Sequence, residues 1–426
     1  MKSKYKPYPS YKDSWLEWLG DVPEHWDTSR LKFLCDITTG GKDTENKVDD
    51  GQYPFYVRSQ TVERINSYSY NGEAILTAGD GVGVGKVFHY TTGKFDFHQR
   101  VYMFYHFKRV AGRFLFEYIK NNFYKVALAG VAKSTVDSLR LPLIQNFMIT
   151  VPPLQEQQAI VNYLDSATAK IDTLIEKQTK LIALLKEKRQ AVISTAVTRG
   201  LDNTVAMKDS GVEWLGEIPE HWTRTPLRYI GRLQNGISKG GDYFGSGYPF
   251  VNYGDIYKNA TLPQQVSGLA KSTKEDQHIY SVKTGDVFFT RTSETIDDIG
   301  MASTCIKTIK KGTFSGFTIR FRQLSQTLNE HFSKYYFRTG HAQAFFEEQL
   351  NLVTRASLGQ DILKQLPVLL PPLDEQQVIA NYLDDKTSKI DILITKATKA
   401  IELLKEKRTA LINSAVTGKI DVRESE

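Results

Sequence analysis

One stretch of this sequence occurs twice, and that duplication constrains the fold more than any other feature. The first copy runs from Val151 to Thr198 and the second from Leu370 to Thr417, so matching residues lie 219 positions apart at both ends. Both copies contain Pro-Pro-Leu-x-Glu-Gln-Gln, Asn-Tyr-Leu-Asp, Lys-Ile-Asp, Leu-Leu-Lys-Glu-Lys-Arg and Ala-Val-Thr in that order. An ungapped repeat of about 45 residues indicates two copies of one structural unit.

Each copy predicts one long helix. The proline pair fixes an extended lead-in, because proline can open a helix but cannot continue one. No Gly or Pro occurs between Glu156 and Arg199 or between Glu375 and Thr417, and apolar residues recur at helical spacing in both copies. Roughly 40 helical residues make a rod of about 60 Å. A rod with a single apolar stripe needs a partner helix, and we expect that partner to be the other copy.

A second, shorter repeat precedes each half and is called the start motif below. It runs from Glu17 to Trp26 and again from Glu213 to Trp222, an offset of 196, so the second intervening segment is longer by 23 residues. Its apolar residues surround a Gly-Asp-Val-Pro or Gly-Glu-Ile-Pro turn and predict docking against the adjoining domain. In the first copy these residues are Trp18, Leu19, Val22 and Trp26. A ligand role for His25 or His221 is disfavoured, because no second ligand lies nearby.

Composition limits the class of protein. With 426 residues the chain is long enough for two or three domains. No stretch approaches the about eighteen apolar residues of a membrane helix, and the first residues lack an apolar signal core, so we expect a cytoplasmic protein without membrane association. Cys35 and Cys305 are the only cysteines, which argues against a disulfide scaffold or a cysteine zinc site. The formal charge of +7 favours a polyanionic partner, although many basic proteins bind none.

The segment from 27 to 150 is predicted to be rich in strands, with one helix from Phe114 to Val126. Aromatic residues crowd this segment; most belong to a core, and a few on loops are candidates for contact with bases or sugars. The predicted strands are Tyr53–Val57, Ala74–Thr77, Lys86–Tyr90 and Arg100–Tyr105.

The segment from 223 to 369 follows the same plan with different residues. The stretch Val282–Arg291 takes the place of Ala74–Gly85, and Phe314–Phe321 takes the place of His98–Phe104. Two variable domains of one design are therefore expected.

The glycine run from Ala78 to Val87 is not a nucleotide-binding loop. The phosphate-loop pattern requires glycine at position 80 and a hydroxyl residue at position 87, where Asp80 and Val87 stand. The dinucleotide-binding pattern fails as well, because Lys86 replaces its last glycine. We expect a tight turn followed by a strand, with Lys86 near enough to reach a DNA phosphate.

The duplicated start motifs, the Pro-Pro-Leu-x-Glu-Gln-Gln openings and the Leu-Leu-Lys-Glu-Lys-Arg helix ends together resemble the specificity (S) subunit of type I restriction–modification systems. The resemblance covers essentially the whole chain. It implies an α+β fold in which two target-recognition domains of mixed sheet and helices are joined by two long antiparallel helices in a pseudo-twofold arrangement. The boundaries expected on this basis are 1–150 and 201–369 for the recognition domains with their start motifs, 151–200 for the first helix, and 370–426 for the second helix and tail.

The resemblance also implies the partners. Each recognition domain would read half of a bipartite double-stranded DNA sequence, and the helices would dock two methyltransferase (M) subunits, with restriction (R) subunits joining the complex. S-adenosylmethionine, ATP and Mg²⁺ would belong to those partners and not to this chain. Consistently, the sequence contains no Asn-Pro-Pro-Tyr or Asp-Pro-Pro-Tyr methylation motif, no phosphate loop, no local motif of a Ser/His/Asp arrangement and no metal-ligand spacing, which favours a non-catalytic reader.

Two other functions remain open at this stage. The chain could be the specificity part of a related system in which methylation and cleavage share one polypeptide. It could also be a coiled-coil adaptor whose aromatic-rich domains bind protein, although the basic charge and the family resemblance argue against that.

Polar and basic loop residues are the candidate DNA contacts, since such side chains bind phosphates and base edges. Those in the first domain are Arg58, Ser59, Gln60, Lys86, Gln99, Arg100, Lys133 and Thr135. Those in the second are Asn252, Tyr253, Lys271, Arg291, Thr292, Arg320, Arg355 and Ser357. Arg100 and Arg320 fall in predicted strands and could instead pair with buried carboxylates. The clusters around Lys133 and Arg355 could equally terminate helices.

The matching polar residues of the helices are the candidate partner contacts, on the expectation that they lie on exposed faces. A helix cap or staple is the competing interpretation. These residues are Gln157, Asn162, Tyr163, Gln376, Asn381 and Tyr382.

Near-identical helices with divergent domains predict an asymmetric target: two unlike half-sites separated by base pairs that are not read. A rigid helix pair would fix that gap, as dimer geometry fixes half-site spacing in other DNA-binding proteins.

Overall fold

The structure is a computed structural model and describes residues 6–127, 139–293, 298–349 and 356–423. The chain forms two compact units. The first comprises Met1–Thr179 and Thr398–Glu426, and the second comprises Lys180–Ala397. Each unit therefore contains one part of each long helix together with its own sheets, an α+β design in both. No helix in the described ranges combines the length and apolar character that a membrane span requires.

The first unit is built from short strands and a few helices. Its strands are β1 (Tyr11–Asp13), β2 (Asp21–Pro23), β3 (Asp27–Arg30), β4 (Asp36–Thr39), β5 (Tyr53–Tyr56), β6 (Glu63–Ile65), β7 (Tyr70–Asn71), β8 (Ala74–Ala78), β9 (Phe88–Thr91), β10 (Lys94–Phe97), β11 (Val101–Tyr105) and β12 (Met148–Val151). Its helices are α1 (Gly112–Asn122), α2 (Tyr124–Ala127), α3 (Leu141–Gln145) and the beginning of α4 (Leu154–Arg199).

The second unit repeats this design. Its strands are β13 (Met207–Asp209), β14 (Glu217–Pro219), β15 (Thr223–Pro226), β16 (Gly231–Asn235), β17 (Phe244–Val251), β18 (Leu269–Ala270), β19 (Val287–Thr290), β20 (Thr292–Ser293), β21 (Ala302–Thr304), β22 (Thr313–Phe314), β23 (Thr318–Gln323), β24 (Ala356–Ser357) and β25 (Pro367–Leu370). Its helices are α5 (Tyr253–Lys258), α6 (Lys274–Ile279), α7 (Glu330–Tyr336), α8 (Gly340–Gln349), α9 (Gln360–Leu363) and the beginning of α10 (Leu373–Val416).

The main antiparallel sheets of the two units have corresponding strand orders. In the first unit an antiparallel sheet has the order β4-β11-β8-β9, and in the second the order is β16-β23-β19-β21. Beside it, β5 pairs with β10 in parallel in the first unit, as β17 pairs with β22 in the second. Strand β19 lies within Val282–Arg291 and pairs with β23 as β8 pairs with β11. The correspondence predicted between the two variable segments is thus confirmed.

The predicted elements of the first variable segment form, with shifts at their ends. Strands start at Tyr53 and Ala74 as predicted, but Lys86 and Val87 do not belong to β9; their amides donate to the Gly83 carbonyl oxygen at 3.0 and 2.9 Å and close a turn. Arg100 stands one residue before β11. The predicted helix is divided into α1 and α2.

The long helices form as predicted, with 46 residues in α4 and 44 in α10. Within the first unit they run antiparallel: Thr150, just before α4, donates to the Val416 carbonyl oxygen at the end of α10 at 2.9 Å. Leu164 of α4 and Leu411 of α10 lie in one buried core with Trp26 of the start motif. In the second unit the other parts of the two helices pack in the same way in a separate core around Trp222.

A matched pair of ion pairs joins the helices. In the first unit Arg408 donates to Asp172 at 2.9 Å, and in the second Arg189 donates to Asp391 at 2.9 Å. Each pair is the counterpart of the other at the repeat offset of 219. All four side chains are a third or more exposed, so each pair contributes only roughly 0–1 kcal/mol, and apolar burial stabilises the pairing.

Candidate DNA-recognition surface

The sheet design of the first unit brings three distant segments to one place, here called the first corner: Arg58, Asp80, Lys86 and Arg100. Arg58 follows β5, Asp80 follows β8, and Arg100 precedes β11. Because β8 and β11 are antiparallel neighbours, the end of one meets the start of the other. The Asp80 carboxylate accepts from Arg58 Nη1 on Oδ1 at 2.9 Å and from Arg100 Nη1 on Oδ2 at 2.6 Å.

Charge at the first corner points outward. The Asp80 side chain is 11% exposed, whereas those of Arg58 and Arg100 are 44% and 61% exposed. Burial of the Asp80 carboxyl acts to raise its pKa, but the hydrogen bonds and charges of the two arginines outweigh burial and hold the pKa below its usual range. The carboxylate thus stays ionised, and the guanidinium groups face solvent.

The remaining candidates of the first unit lie on loops near this corner. Lys86 is exposed in the turn that follows Gly83, and Gly83 lies so close to the Arg58 carbonyl oxygen that a Cβ there would be 2.6 Å from it. Ser59 and Gln60 are exposed beside Arg58, and Gln99 donates to Asp43 at 2.6 Å. Lys133 and Thr135 lie outside the described residues.

The second unit has an equivalent second corner with different side chains: Tyr253, Arg291, Thr292, Phe317 and Ser357. Tyr253 OH donates to the Thr292 carbonyl oxygen at 3.0 Å, and Thr292 pairs with Ser357 between β20 and β24. The same backbone hydrogen bonds hold both corners. They are Gly79 N to Arg100 O and Leu139 N to Gly79 O, both at 2.8 Å, in the first unit, and Arg291 N to Phe317 O at 3.0 Å and Leu358 N to Arg291 O at 2.7 Å in the second.

Other candidates of the second unit are not part of this corner. Asn252 is exposed ahead of α5, and its amide donates to Asp255 at 2.8 Å. Lys271 is exposed after β18, and its amide donates to the Tyr243 carbonyl oxygen at 2.8 Å. Arg355 lies outside the described residues.

Arg320 is removed from the candidate DNA contacts, because its side chain is only 6% exposed. Its guanidinium donates inward to the Ser281 carbonyl oxygen at 2.6 Å and to the Gln234 side chain. Burial lowers its pKa to about 10. Among the described residues Arg320 has no carboxylate partner either, since the fully buried Asp286 pairs with Arg322 at 2.6 Å. By contrast, Arg100 does pair with a largely buried carboxylate, that of Asp80, as the alternative prediction for it stated.

The start motif holds the first turn of each long helix through a glutamate, which is buried in the first unit and partly exposed in the second. Glu156 accepts from Trp26 Nε1 at 3.0 Å and contacts His25 Nε2 at 2.8 Å. Glu375 accepts from Trp222 Nε1 at 3.1 Å and contacts His221 Nε2 at 2.8 Å. The docking role predicted for the start motif is thereby explained, and both histidines are positioned by a carboxylate.

Gln157 and Gln376 are fully buried, so their predicted place on an exposed face is wrong. Gln157 accepts from the Ala111 amide at 2.7 Å and donates to the Pro152 carbonyl oxygen at 2.7 Å, and Gln376 makes the matching bonds with Asn329 and Pro371. These side chains fasten the helix start to its own unit, in line with the competing interpretation.

The other helix candidates are accessible. Asn162 and Asn381 are exposed and accept from Gln158 and Gln377, one turn earlier, at 2.9 Å. Tyr163 and Tyr382 are half-buried.

Four leucines on the long helices form an exposed apolar set, here called the helix leucines. Leu174 and Leu403 lie in the first unit, and Leu184 and Leu393 lie in the second, all between 46% and 53% exposed. They match in pairs at the repeat offset. They belong to the apolar residues that recur at helical spacing, and their exposure shows that the apolar stripe is wider than the contact between the helices.

Two residues of the corners were not among the candidates. Asp80 had a signal, since it is the residue that breaks the glycine-run pattern. Phe317, which is 66% exposed, had no sequence signal apart from its position in a segment that corresponds to one in the first domain.

The described residues offer no evident metal or thiol chemistry. They contain no group of three or more His, Cys, Asp or Glu side chains placed to hold a metal ion. Burial raises the pKa of both Cys35 and Cys305 to about 12, so neither is a ready nucleophile.

Comparison with solved structures shows the same fold in type I systems. One chain from a study of complex assembly and conformational transition of the type I R-M system matches with a TM-score of 0.65 and 16% identity, covering 93% of this chain and 98% of that one. The HsdS subunit from Thermoanaerobacter tengcongensis matches with a TM-score of 0.54 and 15% identity, covering 94% of this chain and 98% of that one.

Sequence relatives agree. The EcoDI specificity subunit of Escherichia coli is 23% identical over 94% of this chain and 90% of its own length, and the MjaVIII specificity subunit of Methanocaldococcus jannaschii is 23% identical over 94% of each. The family model for the type I restriction modification DNA specificity domain matches twice, at residues 23–184 and 220–403. Since those matches span most of both halves, the chain belongs to the family of type I restriction–modification DNA specificity subunits.

Proposed function

We propose that this chain reads an asymmetric, bipartite double-stranded DNA target, with one half-site for each unit. The observation that carries the proposal is the pair of equivalent corners. Identical backbone hydrogen bonds frame them, yet the first presents two arginines and the second presents Tyr253, Thr292 and Phe317. The same backbone arrangement therefore presents different side chains in the two units. Different side chains suit two unlike half-sites, since base edges are distinguished by side-chain type.

We further propose that the chain is a non-catalytic reader that docks two M subunits, with R subunits joining the complex. S-adenosylmethionine, ATP and Mg²⁺ then belong to the partners. The helix leucines support docking, because matched exposed apolar side chains on both helices suit a repeated interface. Asn162, Tyr163, Asn381 and Tyr382 would supply polar contacts at the edge of that interface.

The candidate DNA contacts that are exposed or half-buried form the proposed reading surface. In the first unit they are Arg58, Ser59, Gln60, Lys86, Gln99 and Arg100. In the second they are Asn252, Tyr253, Lys271, Arg291, Thr292 and Ser357.

The test is co-expression of this chain with the M subunit of its own system in a host that lacks adenine methylation, followed by genome-wide mapping of methylated bases. We expect one bipartite, asymmetric motif, methylated on both strands. A stable complex that methylates no motif would contradict the reading role and favour a protein-binding adaptor. An M activity fused to a nuclease in the partner polypeptide would instead identify the related single-polypeptide system.

A further inference from the structure

The first corner contains an arrangement that a simple phosphate-binding surface does not need. A nearly buried carboxylate holds two exposed guanidinium groups, one on each oxygen. A guanidinium has five N–H donors, and within the described residues each side chain donates only through Nη1, to Asp80. The other guanidinium nitrogens of Arg58 and Arg100 remain available to a ligand. Each guanidinium group is thus held by Asp80 on one side and can donate to a ligand on the other.

We propose that Asp80 is a positioning residue that fixes Arg58 and Arg100 to read guanine in the half-site of the first unit. This inference rests on the proposed DNA-reading function. Guanine presents two acceptors, O6 and N7, on its major-groove edge, and a planar guanidinium can bind both at once. Fixing the side chain beforehand reduces the rotamer freedom lost on binding.

The geometry favours base reading over phosphate contact. A phosphate oxygen is satisfied by a point charge, for which a mobile lysine suffices. The Asp80 carboxylate neutralises part of the positive charge of the first corner, but it fixes the direction of both guanidinium groups. A fixed direction suits the directional acceptors of a base edge. Lys86, exposed on the neighbouring turn without a carboxylate partner in the described residues, is the better phosphate contact.

The second corner supplies the internal comparison. Phe317 stands where Arg100 stands, Thr292 where Asp80 stands, and Tyr253 where Arg58 stands, in the same backbone frame. Among the residues of this corner that the structure describes, no carboxylate holds a pair of arginines. The proposal therefore assigns the pair of guanine-reading arginines to the first unit. Loss of that pair should change only the half-site that the first unit reads.

The test is a set of variants co-expressed with the M subunit, with methylated motifs mapped for each and for the unchanged chain in parallel. R58K and R100K keep the positive charge but remove the planar guanidinium that can donate to two acceptors. D80N removes the carboxylate that holds both arginines. We expect each lysine variant to relax one G·C position and D80N to relax both. Discrimination at those positions should fall by roughly tenfold or more, all in the same half-site.

Several outcomes would overturn the inference. They are an unchanged motif in all three variants, changes in different half-sites, and relaxation at positions without a G·C pair. We expect a lysine at either position to keep an ion pair with Asp80, so the lysine variants test the inference even if D80N fails to form the complex. R30K, at an exposed arginine of β3 outside the proposed reading surface, is the control and should leave the motif unchanged. Absence of any motif for the unchanged chain would instead refute the proposed function itself.

Discussion

At the scale of single residues, the two start motifs make one interaction in two environments. The Glu156 side chain is 6% exposed and that of Glu375 is 28% exposed, although both accept from a buried tryptophan and contact a histidine. An acceptor removed from a buried site leaves its donor unpaired, whereas at a more open site water can replace it.

We therefore predict that Glu156→Ala destabilises its unit by about 2 kcal/mol and that Glu375→Ala costs distinctly less. Chemical denaturation followed by tryptophan fluorescence, with each variant compared to the unchanged chain, measures both. Glu24→Ala, an exposed position of the first start motif, serves as the control. Equal losses for the two buried-tryptophan partners would show that exposure does not set the cost.

A second residue-scale prediction concerns acid stability in the second unit. Burial of the Asp276 carboxyl acts to raise its pKa, but hydrogen bonds from Thr273, Lys239 and Tyr243 outweigh burial and lower the pKa to about 2. Because the pKa in the folded state lies below the unfolded value of about 3.9, the stabilisation is present above that pH and is lost as pH falls toward 2.

Asp276→Asn should thus reduce the free energy of unfolding by about 2 kcal/mol at pH 7. The difference from the unchanged chain should shrink as pH falls from about 4 to 2. Denaturation curves over this pH range measure it, with the exposed Asp242→Asn as control. A difference that stays constant with pH would contradict the assignment.

At the scale of secondary-structure elements, the long helices were predictable and the corners were not. Periodicity and the absence of Gly and Pro are local signals, so α4 and α10 follow from them directly. The contact of Asp80 with Arg58 and Arg100 depends on three segments that only the sheet brings together, and spacing along the chain carries no such signal. Arg320 shows the same limit, because a strand position does not reveal which side faces the core.

The helix leucines give an element-scale prediction. Leu184→Glu and Leu403→Glu should reduce binding of M subunits at least tenfold while leaving the unfolding transition within about 0.5 kcal/mol, because exposed positions contribute little to folding. Copurification and denaturation measure the two effects. Leu383→Ala, at a buried leucine of α10, is the comparison variant. Its replacement should reduce the free energy of unfolding by about 2–5 kcal/mol. Normal M binding by both glutamate variants would contradict the proposed interface.

At the scale of the whole molecule, both long helices take part in both units. Each unit carries its own interhelix ion pair, Asp172 with Arg408 in the first and Arg189 with Asp391 in the second. The boundary between the units falls near Thr179 in α4 and near Ala397 in α10. We expect residues added at those two points to leave the helix pairing inside each unit unaltered.

We propose on this basis that the helix pair sets the number of unread base pairs. Four residues inserted after both Thr179 and Ala397 add slightly more than one turn and about 6 Å to each helix. The preferred spacer should then lengthen by about two base pairs, at 3.4 Å each. Methylome mapping of the variant gives the spacer directly, and insertion into one helix alone should abolish methylation. Retention of the original spacer by the double insertion would refute this role.

The backbone frame shared by the two corners has an evolutionary consequence. Gly79 and Arg291 make the same main-chain hydrogen bonds although their side chains have nothing in common, so the frame does not depend on what the corner displays. Natural selection can therefore exchange the displayed side chains, as Arg100 and Phe317 are exchanged here, without risking the fold that carries them. On the proposed DNA-reading function, a few substitutions at one corner would give a descendant of this protein a new half-site while the other half of the target stays as it was.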